Sequence, residues 1–455
     1  MIQPLRFWDL APKRTALITG ILTLIVYWLT LARTIFAFDS AELATAIVTL
    51  GIVHGPGYVV NLLLAHLLTY LPIGSFAFRV NLFSAVATVA AIYFFVLLLL
   101  PLVKQRLVVV VAALTFAFGF YTWSLSVVAE VYTLQLFFLA AIFYLLWGWQ
   151  QNGEAWRLLT AVFLLSLAAA NSPATVLWWP GFGWIIFTSP HVRNLLAPSM
   201  LLKLLGVGLL GLLPLLYLPI RSAANPAFVY AGEFDATGTF HPLDLTQLNN
   251  LLWYLSGGQF DSLLFQYTGA AFFGELLIFI QQLLAAFLGV GLPLGLWGLG
   301  RLWQRQRTLT IGLLFTLLSH GIFFVAYGAP DKATMFLPVY FIWSIFVAFG
   351  LEGLLEMVPQ VPQALIFLLP LGLLLLNGRF IDVRQFDEVS ETAVSRLEQA
   401  EPNAVFLAHW GDASAMEYHQ LVNGLRPDVD IINVFFVPDE TLAPLADGLL
   451  ENGRF

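Results

Sequence analysis

Apolar runs of about 18 to 22 residues recur from residue 15 to residue 378, and each is long enough to cross a hydrocarbon layer of roughly 30 Å as a helix. A chain built this way has no water-soluble solution. Only 10% of its 455 residues are charged and 60% are hydrophobic, whereas soluble domains carry about 25% charged residues. The pattern predicts an all-α polytopic membrane protein of about eleven transmembrane helices, with a small α/β segment at its end. The helices are expected at 15–36, 81–103, 106–122, 131–149, 157–171, 174–188, 200–219, 271–299, 308–327, 334–355 and 363–377. The links at 103–106 and 171–174 are short enough that either pair could be one helix.

The run 16–36 follows Arg6, Lys13 and Arg14 as a signal peptide would. Its apolar part is too long for one, and no small-residue cleavage site ends it, so it reads as a retained first helix. With the N-terminus in the cytoplasm, the inner segments hold Arg6, Lys13, Arg14, Lys104, Arg106, Arg157, Arg193, Lys203, Arg301, Arg305 and Arg307. The outer loops hold only Arg33, Arg79, Arg221 and Lys332. This is the charge bias of a cytoplasmic face. The outer loops carry Asp39, Glu42, Glu130, Glu233, Asp235, Asp244, Asp261 and Asp331, so the acidic face is expected outside, as in a protein of a bacterial plasma membrane.

Residues 1–378 form the expected transmembrane domain, with long outer loops at 37–80 and 221–270. The first mixes charge with apolar stretches such as 61–71 and should lie along the membrane surface or re-enter it. The second is rich in Gly, Asp, Asn and aromatics, with a short helix near 243–255. Residues 379–455 read as a soluble α/β segment: helix 389–399, strand 404–408, helix 414–422, strand 431–437. Those elements are few for a complete domain, as in a shortened version of a longer chain.

Chemistry concentrates in the outer segments. Asp39 and Glu42 stand three residues apart, on one face of any helix beginning at Ser40, where they could share a proton, a cation or a substrate hydroxyl. The same residues suit a helix N-cap and first turn equally. Two carboxylates are a minimal and ambiguous ligand set for a divalent metal, and no metal site is assigned. His54-Gly55-Pro56-Gly57-Tyr58 fixes a turn that holds His54 and Tyr58 near the surface. Arg79, ahead of Asn81, is placed to snorkel to headgroups or to bind a lipid phosphate. Glu130 and Tyr132 open the fourth helix and Asn171 closes the fifth, where polar groups line a cavity or bond a neighbouring helix. Arg221 ends the seventh helix, suited to a phosphate, and Asp331 with Lys332 sits in a later outer turn.

No glycine-rich phosphate loop, paired metal-ligand histidine motif or hydrolase triad context occurs in the sequence, so ATP-driven transport has no support. The basic residues are few and mostly mark topology, which speaks against nucleic-acid binding. The absence of cysteine excludes disulfides and thiol catalysis.

Three stretches together resemble the start of the DUF2723 membrane proteins: Phe38-Asp39-Ser40-Ala41-Glu42-Leu43, His54 to Tyr58, and Phe78-Arg79-Val80-Asn81-Leu82-Phe83-Ser84. That family includes the O-mannosyltransferase of the transmembrane protein 260 type and looks like a branch of the GT-C glycosyltransferases. Ala129-Glu130-Val131-Tyr132, Tyr217 to Ala223 with Asn225-Pro226, and Pro330-Asp331 with Phe336-Leu337-Pro338 extend the likeness. So do Glu401-Pro402-Asn403-Ala404, Trp410-Gly411-Asp412-Ala413 and Leu425-Arg426-Pro427-Asp428-Val429, taking it to about residue 434. The family usually reads His-Pro-Pro-Gly-Tyr where this chain has Gly55, and a His is common where Ser172 follows Asn171.

The resemblance implies a GT-C-like fold in the lipid bilayer and transfer of a sugar, mannose being one candidate, from a polyprenyl-phosphate donor to an acceptor hydroxyl of a protein, glycan or lipid. It implies Asp39 as the base, Glu42 as its assistant or the group that positions the acceptor, and Arg221 and Arg79 as partners of the phosphate. His54, Tyr58, Asn81, Glu130, Tyr132, Asn171 and Asp331 complete the implied donor and acceptor site. The alternatives are a transporter or flippase, which would need ionisable residues deep in several helices and an inverted repeat, and a non-catalytic scaffold.

Overall fold

The computed structural model describes residues 10–360 and 362–451; Arg6 and the last four positions of the 379–455 segment, read above, lie outside them. Without water to satisfy the backbone, each apolar run closes its own hydrogen bonds as a helix. Helix α1 (Leu10–Thr30) turns Leu17, Ile18, Ile21, Leu22, Ile25 and Leu29 outward. Its Thr15, Thr19 and Thr23 return their hydroxyls to carbonyls four residues back, so polar side chains sit in an apolar helix without orphaned groups. The outer loop that follows contains α2 (Asp39–Thr49) and α3 (Val59–Leu68), of 11 and 10 residues, too short to cross where about 20 are needed.

Next come α4 (Phe76–Leu99), α5 (Arg106–Ala117) and α6 (Phe120–Ser126), the last two bent by 66° where one straight helix is expected. Then follow α7 (Tyr132–Asn152), α8 (Ala155–Asn171), α9 (Trp179–Phe187) entered through a 3-10 turn, α10 (Pro198–Leu212) and α11 (Tyr217–Ala223). The second outer loop holds the antiparallel hairpin β1 (Gly232–Phe234) and β2 (Phe240–Pro242), then α12 (Leu248–Leu255) where a short helix is expected. The predicted helix 271–299 is in fact two, α13 (Gly269–Ala286) and α14 (Gly291–Arg305). The break lies at Leu288 and Gly289, both in left-handed backbone with φ of 53° and 73°, a conformation that no helix accommodates.

The bundle ends with α15 (Arg307–Ala326), α16 (Leu337–Met357) and α17 (Leu368–Ile381). Helices α14 and α16 pack backbone to backbone: a Cβ added to Gly298 would lie 1.8 Å from the Phe346 carbonyl oxygen, the use membranes make of small residues. Among the described residues, seven helices are long and apolar enough to cross a membrane, or eight if the bent pair is one span. The segments expected at 157–171 and 174–188 are shorter, at 17 residues for α8 and 9 for α9.

The carboxyl-terminal segment runs α18 (Glu388–Gln399), β3 (Val405–Ala408), α19 (Trp410–Asn423), β4 (Asp430–Asn433) and α20 (Asp439–Glu451). The strands pair in parallel, with Phe406 opposite Ile431, which requires the crossover that α19 supplies. Helix α19 docks on α2: Ala41 and Ala44 share one apolar cluster with Ala413, Ala415 and Met416, and the Tyr418 hydroxyl accepts the Ala77 amide at 3.2 Å. The segment thus stands on the same face of the bundle as Asp39.

Candidate active site

Asp39 is the first residue of α2. The preceding Phe38 adopts φ of 57°, and no side chain caps the helix, so the capping role open to Asp39 or Ser40 is not the one adopted. A carboxylate there still meets the positive end of the helix dipole. Glu42, one turn on, is fully buried. Its carboxylate takes the Nδ1 of His54 at 2.8 and 3.0 Å and the His54 backbone amide at 2.7 Å. Both oxygens are engaged by His54, so Glu42 holds that side chain and its backbone in place.

The 54–58 turn is clamped from the second outer loop. Gly55 donates its amide to Gln259 at 2.6 Å, the Tyr254 hydroxyl donates to the Val53 carbonyl, and Gly57, at φ of 91°, leaves room for the Tyr254 ring. Rings box His54 in: Tyr58 at 5.4 Å, Phe260 at 5.6 Å and Trp410 at 5.1 Å. Burial works against a charge on His54, but Glu42 above all, then Asp39 and Asp331, carry its pKa up to about 9.

Asp39 is itself pushed up, chiefly by burial, with His54 pulling the other way and Glu42 adding to the rise. Asp331 is raised by burial and by Asp39. Glu130 is raised well above the usual range by burial, then by Asp39 and Asp331, and its Oε2 is buried without a partner. Asp39, Glu130 and Asp331, drawn from three separate loops, therefore face one site and repel one another, with His54 as the cation among them. Tyr58 borders the same site and Tyr132 follows Glu130 into α7. Such mutual perturbation marks sites that hold protons or cations. One ligand atom each from Asp39, Glu42 and His54 lies within 4.8 Å of the others, so these three could hold a divalent ion once Glu42 releases His54 Nδ1. The Asp39 carboxylate has no hydrogen-bond partner among the described residues, which leaves it open to a substrate.

Four further residues expected at the site make defined contacts within the fold. Arg79 donates to the carbonyls of Ile73, Thr69 and Gly74 and lies over the Phe76 ring, so it ties down the 69–74 turn. Asn81 donates to the carbonyls of Ala32 and Thr34, fixing the chain that leads to Asp39. Asn171 accepts the Asn61 amide at 2.8 Å, one of the orphan donors at the start of α3. Arg221 donates Nε to the Leu50 carbonyl at 2.7 Å, at the far end of α2 from Asp39, about 15 Å along an 11-residue helix.

That position yields a prediction. Arg221→Ala should cost about 1 kcal/mol of stability through the lost bond and leave the KM for a lipid-linked donor within about twofold. A donor KM raised tenfold in titrations of the variant would return Arg221 to the phosphate.

Trp410, Phe260 and Gln259 are not identifiable as site residues from the sequence. Trp410 heads a stretch that carries family resemblance, yet its role at His54 depends on a docking that no local pattern encodes.

Residues 39–195 match the family model of the protein O-mannosyl-transferase TMEM260 N-terminal domain. The chain is 34% identical over 212 residues to protein O-mannosyl-transferase TMEM260 of Mus musculus, a match covering 44% of this chain and 29% of the mouse protein. Among solved structures, ArnT from Cupriavidus metallidurans bound to undecaprenyl phosphate is similar with a TM-score of 0.60 at 10% identity, over 96% of this chain and 88% of that one. The archaeal oligosaccharyltransferase AglB from Archaeoglobus fulgidus, in complex with an inhibitory peptide and a dolichol-phosphate, is similar with a TM-score of 0.52 at 12% identity, over 93% of this chain and 64% of that one. The chain is thus an integral membrane protein of GT-C-like fold, related through residues 39–195 to the N-terminal domain of protein O-mannosyl-transferase TMEM260.

Proposed function

We propose that the chain is a membrane glycosyltransferase that moves a sugar, with mannose as first candidate, from a polyprenyl-phosphate donor to an acceptor hydroxyl on the extracytoplasmic side. The observation that carries this reading is Asp39: a carboxylate without a hydrogen-bond partner among the described residues, raised by burial, at the head of a helix in the segment matched to the mannosyl-transferase family. ArnT and AglB, which share the fold, are each described with a polyprenyl or dolichol phosphate bound.

The chemistry follows from the groups present. The acceptor oxygen attacks the anomeric carbon while Asp39 takes its proton. The bond from that carbon to the phosphate oxygen breaks, the sugar passes through an oxocarbenium-like state, and the lipid phosphate leaves with the electron pair. His54, held as a cation by Glu42, supplies positive charge within reach of Asp39. A transporter would need such groups along a path through the bundle, whereas Asp39, Glu130, Asp331 and His54 gather at one end of it.

The test supplies membranes containing the protein with labelled polyprenyl-phosphate mannose and, separately, a labelled nucleotide sugar. Consumption of the lipid-linked label alone is expected. Consumption of the nucleotide sugar alone, or of neither, would overturn the reading.

A further inference from the structure

At the end of the bundle away from Asp39, a cavity of about 210 Å³ opens between the end of α4, the last turns of α7, the first turn of α8 and the α14–α15 turn. At about 1.5 Å per residue, Gly148 in its wall lies about 24 Å along α7 from Tyr132, which borders the acidic site. Leu97, Leu98 and Leu102 give the cavity an apolar wall, and its polar side includes Arg157, Asn152 and Gln306. Arg157 is the unusual group, since its side chain is only 4% exposed. The Tyr144 and Trp156 rings lie 5.4 and 4.8 Å from its guanidinium, and Gly148 makes room for it, because a Cβ there would collide with Nη1. Glu154 accepts from Nε. The two terminal nitrogens, which also donate, meet no acceptor among the described residues, and the side-chain amides of Asn152 and Gln306 make no hydrogen bond among them either. Buried donors left without an acceptor are costly, and no carboxylate lines the cavity to supply one.

We propose that this cavity binds the headgroup of an anionic phospholipid: its phosphate meets the terminal nitrogens of Arg157, and the start of one acyl chain lies along Leu97, Leu98 and Leu102. Paired, coplanar donors match two phosphate oxygens, the recognition to which a guanidinium is best suited. Asn152 and Gln306 suit the hydroxyls of a glycerol headgroup, whereas the cavity offers no acidic residue to the cation of a choline headgroup. The surroundings place the cavity at headgroup depth. Trp156 and Trp303 are exposed at this end, with Arg157 lying over one and Arg307 over the other, as aromatic rings and cations gather at a membrane boundary. A free phosphate would leave the apolar wall unused; a lipid supplies both parts. The lipid-linked sugar of the proposed reaction is a different occupant, because a sugar carbon held here lies far from Asp39. By bridging Arg157 to Gln306 the bound lipid ties α8 to the α14–α15 turn.

The test titrates the full chain, purified in a neutral detergent, with phosphatidylglycerol and separately with phosphatidylcholine, counting bound lipid by native mass spectrometry. The first phosphatidylglycerol is expected to bind about tenfold or more tightly than phosphatidylcholine, and to raise the unfolding temperature as a ligand of the folded state does. Asn152 is exposed and Gln306 half-buried, so Asn152→Asp combined with Gln306→Glu changes charge at the rim without changing size. That double variant should weaken phosphatidylglycerol binding by about tenfold or more. Arg157→Gln, which can still donate to Glu154, should abolish the preference between the two lipids. The double variant carries the test alone should Arg157→Gln misfold. Equal affinities for the two lipids, or phosphatidylglycerol binding unchanged in the folded double variant, would overturn the site. Inorganic phosphate is expected to leave the lipid in place; displacement by millimolar phosphate would identify a free anion as the occupant and overturn the lipid assignment. No arm of the test involves sugar transfer, so the lipid site stands or falls apart from the transferase reading.

Discussion

Asp39→Asn is expected to slow sugar transfer by about 10²- to 10⁴-fold, the usual loss on removing a general base, in a protein that still inserts and folds. The structure separates the two effects. Asp39 makes no capping bond at the head of α2, so the amide gives up no hydrogen bond that the helix relied on. Its carboxyl is raised by burial, which makes it a stronger base than an exposed aspartate while it remains ionised. It follows that transfer by the parent should fall away as pH drops through a value above the ordinary Asp range, because the protonated acid cannot take the acceptor proton. Initial rates of label transfer across pH, with parent and variant matched for membrane content, check both points. Near-normal transfer by a correctly inserted Asp39→Asn protein would exclude Asp39 as the base.

The second large effect belongs to Glu42. Glu42→Leu strips a buried cation of its partner and leaves the His54 amide unsatisfied, a change expected to cost about 3–5 kcal/mol. The pH dependence distinguishes the ion pair from mere packing. The folded pKa of His54, about 9, is raised above an unfolded value of about 6.5. The pair therefore contributes its full stability below about 6.5 and loses it as pH rises through about 9. Glu42→Gln can still accept the backbone amide but holds no charge, so its stability should vary less over that window. Thermal unfolding in detergent from pH 6 to 10 measures this. Parallel curves for the parent and the Gln variant would show that no ion pair is present.

How far the sequence reveals the site depends on distance along the chain. Asp39, His54 and Tyr58 are legible because one short stretch carries their chemistry and their turn together. Glu130 and Asp331 are legible as acidic residues of outer loops, although their convergence on Asp39 is a fact of packing. The arginines are ambiguous in sequence: a guanidinium near the membrane surface suits a phosphate and a row of backbone carbonyls equally, and Arg79 takes the carbonyls. Asn171 is ambiguous in the same way, since an Asn at a helix end can line a cavity or cap a neighbour. Helix positions follow from apolar length, but the break between α13 and α14 does not, because Leu288 in a left-handed conformation leaves no mark in a hydropathy profile. The wall formed by Trp410, Phe260 and Tyr230 is the least legible part, since its rings come from three segments that meet only in the folded chain.

The contact between Trp410 and His54 joins residues 356 positions apart. At a synthesis rate of about 5–20 residues per second, the ring reaches the histidine roughly 20 to 70 s after that histidine leaves the ribosome. During that interval the 54–58 turn lacks the ring that closes one side of it. The indole reaches the turn late, and Phe435 and Phe436, which pack on it at 4.8 and 5.5 Å, later still, so a chain interrupted before Trp410 should leave that side of His54 open.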